Sequence, residues 1–263
     1  MIRKVTTIAL FLCLLTSCTV LENREPCPGL LTVDMRDIRS RMGDGTLRLD
    51  IISADGTTVI SRLAEVSLAD TMRFFIPKTE YSVCSAAGQE NTTFSFSGVA
   101  YGASGQQSDT VFAFSDRVSV SGEITDFRCT YHKQFATVRI INSFAADAED
   151  PFFGMTLRVS SIYGGLNYRQ MTASENEFSC RVKPDREGNY TFRMPRQGDA
   201  SIILMIESPD ITHTVPIGIF LKEMGYDFTA ADLQDVTVGV DLVSMNVLIT
   251  IEDWHREQVF AII

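Results

Sequence analysis

Apolar and polar residues alternate along almost every hydrophobic stretch of this 263-residue chain. A period of two is typical of a β-strand with one buried face, because successive side chains point to opposite sides of the strand. The sequence therefore predicts an all-β protein. The alternating stretches are residues 31–35, 47–51, 81–83, 94–96, 138–140, 192–194, 236–242 and 247–251.

Turn-forming residues separate these stretches, for example Gly43-Asp44-Gly45 and Glu187-Gly188-Asn189. Many short strands with turns between them favour a β-sandwich over a parallel sheet with crossover helices. Residues 145–151, rich in alanine and acids, lack strand alternation and leave about six or seven strand candidates on each side. We therefore predict two tandem β-sandwiches of the Ig-like or transthyretin-like kind, over residues 29–145 and 146–263.

The N-terminal segment has the features of a bacterial lipoprotein signal. A basic start precedes an apolar run of 11 residues, 5–15, whereas a transmembrane helix needs about 20. The sequence that ends this run, LTSC, resembles the lipobox, in which the cysteine receives a diacylglycerol. We predict that residues 1–17 are a signal peptide that is removed, and that Cys18 becomes the lipidated N-terminus.

A lipid on Cys18 would anchor the protein to a membrane that it does not span, because two or three acyl chains hold a protein on a bilayer almost permanently. The segment after it, TVLENREPCP, is polar and contains two prolines. Residues 18–28 are therefore predicted to be the lipidated N-terminus and a tether.

Export to an oxidising compartment makes four cysteines candidate disulfide partners. They are Cys27, Cys84, Cys129 and Cys180. Four cysteines allow three pairings, and the sequence does not choose among them; buried thiols are the alternative. No CxxC pair occurs, and the three histidines lie far apart in the chain, so no metal site is predicted.

The net charge and the absence of common motifs argue against several classes of function. The net charge of -10 and the absence of a basic cluster argue against a nucleic-acid partner. The common nucleotide-binding, metalloprotease and serine-hydrolase motifs do not occur. The prediction is a protein that is not an enzyme, with no catalytic residues and no cofactor.

Several segments together resemble one family. They are the lipobox, the Cys27-Pro28 pair before LLTVDMRDI, the strand YSVCSAAG, the segment TYHKQFATVRI and the closing VLITIEDW. In this order they are similar to the FimB-type fimbrial anchor lipoproteins of Bacteroidales, the FimB/Mfa family.

The resemblance implies an anchor or accessory subunit of an outer-membrane fimbria. Two transthyretin-like domains would be held at the cell surface by the lipid on Cys18 and joined to fimbrial stalk subunits by donor-strand exchange. The apolar piece QVFAII at residues 258–263 would donate a strand or pair within its own domain. Arg24, Arg36, Arg39 and Arg41 lie where stalk subunits of related families are cleaved, but none has a recognisable cleavage context. The alternative is a surface glycan-binding lipoprotein that serves a nutrient importer.

Overall fold

The structure is a computed structural model that describes residues 27–89, 91–142, 155–185, 189–210, 212–241, 246–251 and 257–261. These residues form two β-sandwiches, so the all-β prediction is confirmed. Two short helices, α1 (Asp37–Arg41) and α2 (Ile217–Glu223), are the only α-helices in the described ranges. No helix of the described chain is long and apolar enough to cross a bilayer.

The first sandwich consists of two sheets. Sheet one has the strand order β4-β1-β9, and sheet two has the order β10-β8-β5-β2-β3. The strands are β1 (Gly29–Asp34), β2 (Thr46–Ser53), β3 (Thr58–Glu65), β4 (Thr71–Ile76), β5 (Glu80–Gly88), β8 (Phe112–Ser119), β9 (Ile124–Arg128) and β10 (His132–Lys133). Between the two sheets lies a core that contains Leu31, Leu49 and Val83, all without solvent exposure.

The second sandwich is also built from two sheets. Sheet three has the order β14-β11-β17-β18-β19, and sheet four has the order β16-β15-β12-β7-β6, with β13 paired to β12. The strands are β6 (Thr93–Phe94), β7 (Val99–Tyr101), β11 (Phe135–Asn142), β12 (Thr156–Asn167), β13 (Thr172–Val182), β14 (Tyr190–Pro195), β15 (Ile203–Glu207), β16 (Thr212–Val215), β17 (Val236–Asp241), β18 (Asn246–Ile251) and β19 (Glu257–Ala261). Its core includes Val138, Val159 and Val238, which are fully buried.

The sheets divide the chain differently from the predicted boundary between residues 145 and 146. Strand β11 precedes that boundary but pairs with β14 and β17 of the second sandwich. The chain passes from β10 to β11 through the single residue Gln134. No stretch with the composition of a linker therefore marks the passage from the first sandwich to the second. The acid-rich segment at 145–151 is outside the described residues, and the strands on both sides of it, β11 and β12, belong to the second sandwich.

A hairpin from the N-terminal half extends the second sandwich. Strands β6 and β7 pair with each other, and β7 pairs with residues 165–167 of β12. A small cluster of buried residues, including Ala86, Ala113 and Leu166, fills the junction between this hairpin and the outer face of sheet two. Sheet two is therefore buried on both faces near β2 and β5, which explains why all six central residues of β2 are buried.

Candidate functional site

Strand β1 is the first strand after the predicted tether, and it occupies the centre of sheet one. It pairs antiparallel with β4 and parallel with β9, from Leu30 to Asp34 on both sides. The alternating pattern of its sequence is observed, because Leu31 and Val33 are fully buried and Thr32 points to the other face. Removal of β1 would leave β4 and β9 unpaired and would open an apolar groove between them.

The outer face of sheet one is a grid of three rows. In register across β4, β1 and β9, the first row is Phe75, Leu30 and Ile124. The second row is Arg73, Thr32 and Asp126, and the third is Thr71, Asp34 and Arg128. The face is thus apolar at the end where β1 begins and polar at the end where β1 stops.

Ion pairs hold the segment that follows β1. The Arg36 guanidinium binds Asp34 through two contacts, Nε to Oδ1 at 2.9 Å and Nη2 to Oδ2 at 2.7 Å. The hydrogen bond from Arg36 lowers the pKa of Asp34 to about 2. In α1, Arg41 Nε donates to Asp37 at 2.9 Å, and the backbone N–H of Tyr131 donates to the same carboxylate. Two of the four arginines considered as cleavage positions are therefore ion-paired; Arg24 is outside the described residues.

A buried carboxylate joins the two sandwiches. Asp50 of β2 is fully buried and accepts hydrogen bonds from Ser61 Oγ at 2.7 Å and Tyr168 Oη at 2.8 Å. Arg48 and Arg169 also bind it, with N to O distances of 3.2 Å and 2.8 Å. Burial alone would raise the pKa of Asp50, but these hydrogen bonds outweigh burial and the pKa lies below its usual value.

Tyr168 and Arg169 belong to the turn between β12 and β13, so the Asp50 carboxylate connects sheet two to sheet four. Met171 in this turn has a φ of 57°, a left-handed conformation that non-glycine residues rarely adopt. The Arg169 guanidinium also donates to the carbonyl of Phe96 at 3.0 Å, at the tip of the β6–β7 hairpin. We call Arg48, Asp50, Ser61, Tyr168 and Arg169 the junction network.

A second contact between the sandwiches forms around Gln134. The buried Arg196 donates from Nε to Gln134 Oε1 at 2.7 Å and from its terminal nitrogens to the carbonyls of Phe228 and Ala230 at 2.9 and 2.6 Å. Burial lowers the pKa of Arg196. Nearby, Lys133 pairs with Asp235 at 2.5 Å. The connection between the two sandwiches is thus fixed by hydrogen bonds at two separate places.

The four cysteines predicted as candidate disulfide partners are all free thiols in the structure. Cys27 is exposed, whereas Cys84, Cys129 and Cys180 are buried, and no disulfide joins any two of them. Burial raises the pKa of Cys180 to about 11 and raises the pKa of Cys84 and Cys129 as well.

These thiols give a direct test of the cysteine state. With iodoacetamide at pH 8, we expect Cys27 to be alkylated first and the three buried cysteines at least about 100-fold more slowly, because both access and thiolate fraction are reduced. Peptide mass spectrometry before and after unfolding without reductant measures this. If two of these four cysteines remained unmodified even in the unfolded chain, a disulfide between them would be present instead.

The C-terminal segment pairs within its own sandwich. Strand β19 is antiparallel to β18, with Val247 opposite Phe260. The Phe260 ring stacks on Phe220 of α2 with a centroid distance of 4.3 Å. Residues 258–261 of the QVFAII piece therefore lie in the last strand of sheet three, and residues 262 and 263 are outside the described part.

The remaining predicted sites are placed as follows. Cys18 and the signal peptide are outside the described residues, so lipidation stays a prediction.

Within the described ranges, no group of three or more His, Cys, Asp or Glu side chains could hold a metal ion. Of the seven tyrosines that a glycan platform would use, Tyr81, Tyr131, Tyr168, Tyr190 and Tyr226 are buried; the other two are half-buried.

No family model and no curated protein sequence matches the chain. Several solved structures match its fold. A candidate polysaccharide-binding protein from Bacteroides thetaiotaomicron has a TM-score of 0.65 at 12% identity, with 89% of this chain and 98% of that chain covered. The fimbrial anchor protein Mfa2 from Porphyromonas gingivalis has a TM-score of 0.61 at 10% identity, with 87% and 98% covered.

A candidate adhesin from Bacteroides thetaiotaomicron is similar to the same extent, with a TM-score of 0.60 at 10% identity and coverage of 90% of this chain and 99% of that chain. The chain therefore shares its fold, over nearly the whole length of these proteins, with fimbrial and adhesin structures. The resemblance inferred from the sequence is confirmed at the level of fold.

Proposed function

We propose that the protein is a structural lipoprotein subunit of an outer-membrane fimbria, and that it serves as the anchor or accessory subunit. The observation that carries the proposal is the place of β1: the strand that follows the predicted lipid tether is the central, doubly paired strand of sheet one. The proposed function is structural and needs no catalytic residue or cofactor.

Tension from a fibre would reach the membrane through β1. The strand is hydrogen-bonded on both sides, and Leu31, Val33 and Met35 are fully buried. To pull it out, all these contacts must break together. Such a strand is a suitable mechanical connection between a lipid on Cys18 and a folded body.

Strand donation is the proposed mode of joining to stalk subunits. In β-augmentation an extended segment adds to an exposed sheet edge, with main-chain hydrogen bonds and alternate apolar side chains providing the affinity. Strand β19 lies at an edge of sheet three, and because β1 fills the groove of sheet one in its own chain, that groove would be closed to a donor. A stalk subunit could add a strand at this one edge but could not enter sheet one, and a subunit that offers a single point of strand addition would end a fibre, as an anchor must.

The anchor role predicts the effect of removing the lipid. In cells with Cys18→Ala, we expect most fibres to appear in the culture medium instead of the cell fraction, because no acyl chain would hold them. Immunoblots of stalk subunits in sheared, pelleted and secreted fractions measure this. Cys27→Ala is the matched control and should leave the distribution unchanged. Full retention of fibres on cells with Cys18→Ala would contradict the anchor role.

A glycan-binding lipoprotein is the second candidate function. It is favoured by the fold shared with the candidate polysaccharide-binding protein and by two exposed aromatic side chains, Phe75 and Phe96, which are 76% and 88% exposed. Binding on a glycan array that is lost with Phe75→Ala or Phe96→Ala would support it. An array without signal, together with co-purification with fibres, would favour the fimbrial function.

A further inference from the structure

The apolar row of sheet one leaves large side chains in solvent. Phe75 is 76% exposed and Ile124 is 65% exposed, and Leu30 lies between them in register. Leu30 is half-buried, so the row consists of two exposed apolar side chains on either side of a partly exposed one. Single exposed apolar residues are common on protein surfaces, but a contiguous group indicates a surface that is covered by something else.

The position of the row relative to the predicted tether indicates what covers it. Leu30 is the second residue of β1, which begins at Gly29, so the row lies at the end of sheet one from which the chain leads back to Cys18. Ten residues, 19–28, lie between Cys18 and Gly29, and the 11 steps from one Cα atom to the other span at most about 40 Å in an extended chain. A lipid on Cys18 would therefore keep this end of the first sandwich close to the bilayer.

The charges around the row fit a membrane surface. Although the whole chain has a net charge of -10, basic and acidic side chains on and beside the outer face of sheet one are balanced, four against four. They are Arg36, Arg73, Lys78 and Arg128 against Asp34, Asp70, Glu123 and Asp126. An anionic bilayer would repel the protein as a whole but would not repel this face.

We propose that the outer face of sheet one lies on the lipid bilayer, with Phe75, Leu30 and Ile124 inserted into its interface. This inference rests on the proposed lipid anchoring, because the tether supplies the high effective concentration that lets a small apolar contact persist. The contact would orient the first sandwich, so that the second sandwich and its edge strand β19 are directed away from that face.

The test uses tryptophan fluorescence in the lipidated protein. The chain has a single tryptophan, Trp254, so Trp254→Phe gives a silent background into which Phe75→Trp or Phe96→Trp is introduced. Phe96 is the matched control, because it is also exposed but its ring lies over Arg48 of sheet two, at 5.1 Å, on the opposite side of the sandwich. Each protein is reconstituted in vesicles of phosphatidylethanolamine and phosphatidylglycerol with brominated acyl chains, which quench inserted tryptophan.

We expect quenching at position 75 to exceed that at position 96 by at least about threefold, with a blue-shifted emission, and Ile124→Ser to reduce it. Equal quenching at both positions would overturn the proposal. A blue shift at position 75 that requires added fimbrial subunits, and not vesicles, would also overturn it and would identify a protein partner.

A second measurement distinguishes this inference from the anchor proposal. Mass spectrometry of the N-terminal peptide determines whether Cys18 is lipidated in cells. If it is not, the anchor proposal fails, but the face can still be examined after Cys18 is coupled to a maleimide phospholipid in a Cys27→Ser background. Quenching at position 75 would then support the bilayer contact independently of lipidation in cells. If Cys18 is lipidated but position 75 is not quenched, the bilayer contact is contradicted and the anchor proposal is not.

Discussion

Replacing Asp50 by asparagine is expected to destabilise the protein by about 3–5 kcal/mol, which is the usual effect of removing one partner from a buried ion pair. The substitution keeps the size of the side chain but removes its charge. Arg48, itself only 3% exposed, and Arg169 would lose their counter-ion, and one of the groups that donate to the carboxylate would face an amide N–H. A protein with a total stability of about 5–15 kcal/mol would lose a large fraction of it.

Thermal and denaturant unfolding measure this loss. About 1 kcal/mol corresponds to roughly 2–4 °C in Tm for a chain of 150–250 residues, so we expect a decrease of about 6 °C or more. Asp44→Asn is the matched control, because Asp44 is an exposed carboxylate in the turn before β2, and its Tm should be nearly that of the parent. An Asp50→Asn protein within 1 °C of the parent would contradict the role of the junction network.

The pH dependence gives an independent check. The pKa of Asp50 is lowered in the folded protein, whereas an unperturbed aspartate has a pKa of about 3.9. The carboxylate therefore contributes its full stabilisation above about pH 4. As the pH falls toward the lower pKa of the folded state, the unfolded chain takes up the proton first and stability decreases. The difference in stability between parent and Asp50→Asn should narrow as the pH falls below about 4.

The sequence predicts the strands better than it predicts their partners. Alternation in residues 47–51 correctly indicates that Leu47, Leu49 and Ile51 face a core, since all three are fully buried. It also suggests that Arg48 and Asp50 face solvent, yet both are buried. The reason is that the β6–β7 hairpin and the β12–β13 turn cover the second face of sheet two, and no local pattern encodes this contact.

Long-range placement explains the other differences. Asp50 and Arg169 are 119 positions apart in the chain, so their contact depends on the tertiary fold alone. The alternation around Phe94 and Phe96 predicts one strand that buries both aromatic side chains on the same face. Phe96 instead lies at a hairpin tip and is 88% exposed. Helices α1 and α2 have only five and seven residues, which is too short for a 3.6-residue period to be recognised in the sequence.

Excising β1 is expected to unfold the first sandwich and to be reversible by a peptide with the sequence of β1. Burial of Leu31, Val33 and Met35 contributes about 5–9 kcal/mol together, at about 1.5–3 kcal/mol for each side chain. This is comparable to the stability of a whole domain, and the backbone pairs with β4 and β9 are lost as well. A strand that contributes this much to the first sandwich would keep the groove of sheet one closed to a donor and would hold the fold to the tether.

The experiment uses a recognition sequence for a specific protease, inserted between Gly43 and Asp44. Both residues are exposed, and a side chain at Gly43 would meet nothing within 4 Å. After cleavage, the fragment with β1 and α1 is removed in denaturant and the remainder is refolded with or without a peptide of residues 28–42.

We expect a cooperative unfolding transition of the first sandwich only when the peptide is present, as measured by circular dichroism. The matched control is the same peptide with Leu31→Ser and Val33→Ser, which keeps the backbone pairing but removes the two apolar side chains that β1 itself inserts between the sheets, so it should restore the transition much less. If the remainder refolded equally well without any peptide, β1 would be dispensable to the first sandwich, and the proposal that tension passes between membrane and fibre through β1 would lose its structural basis.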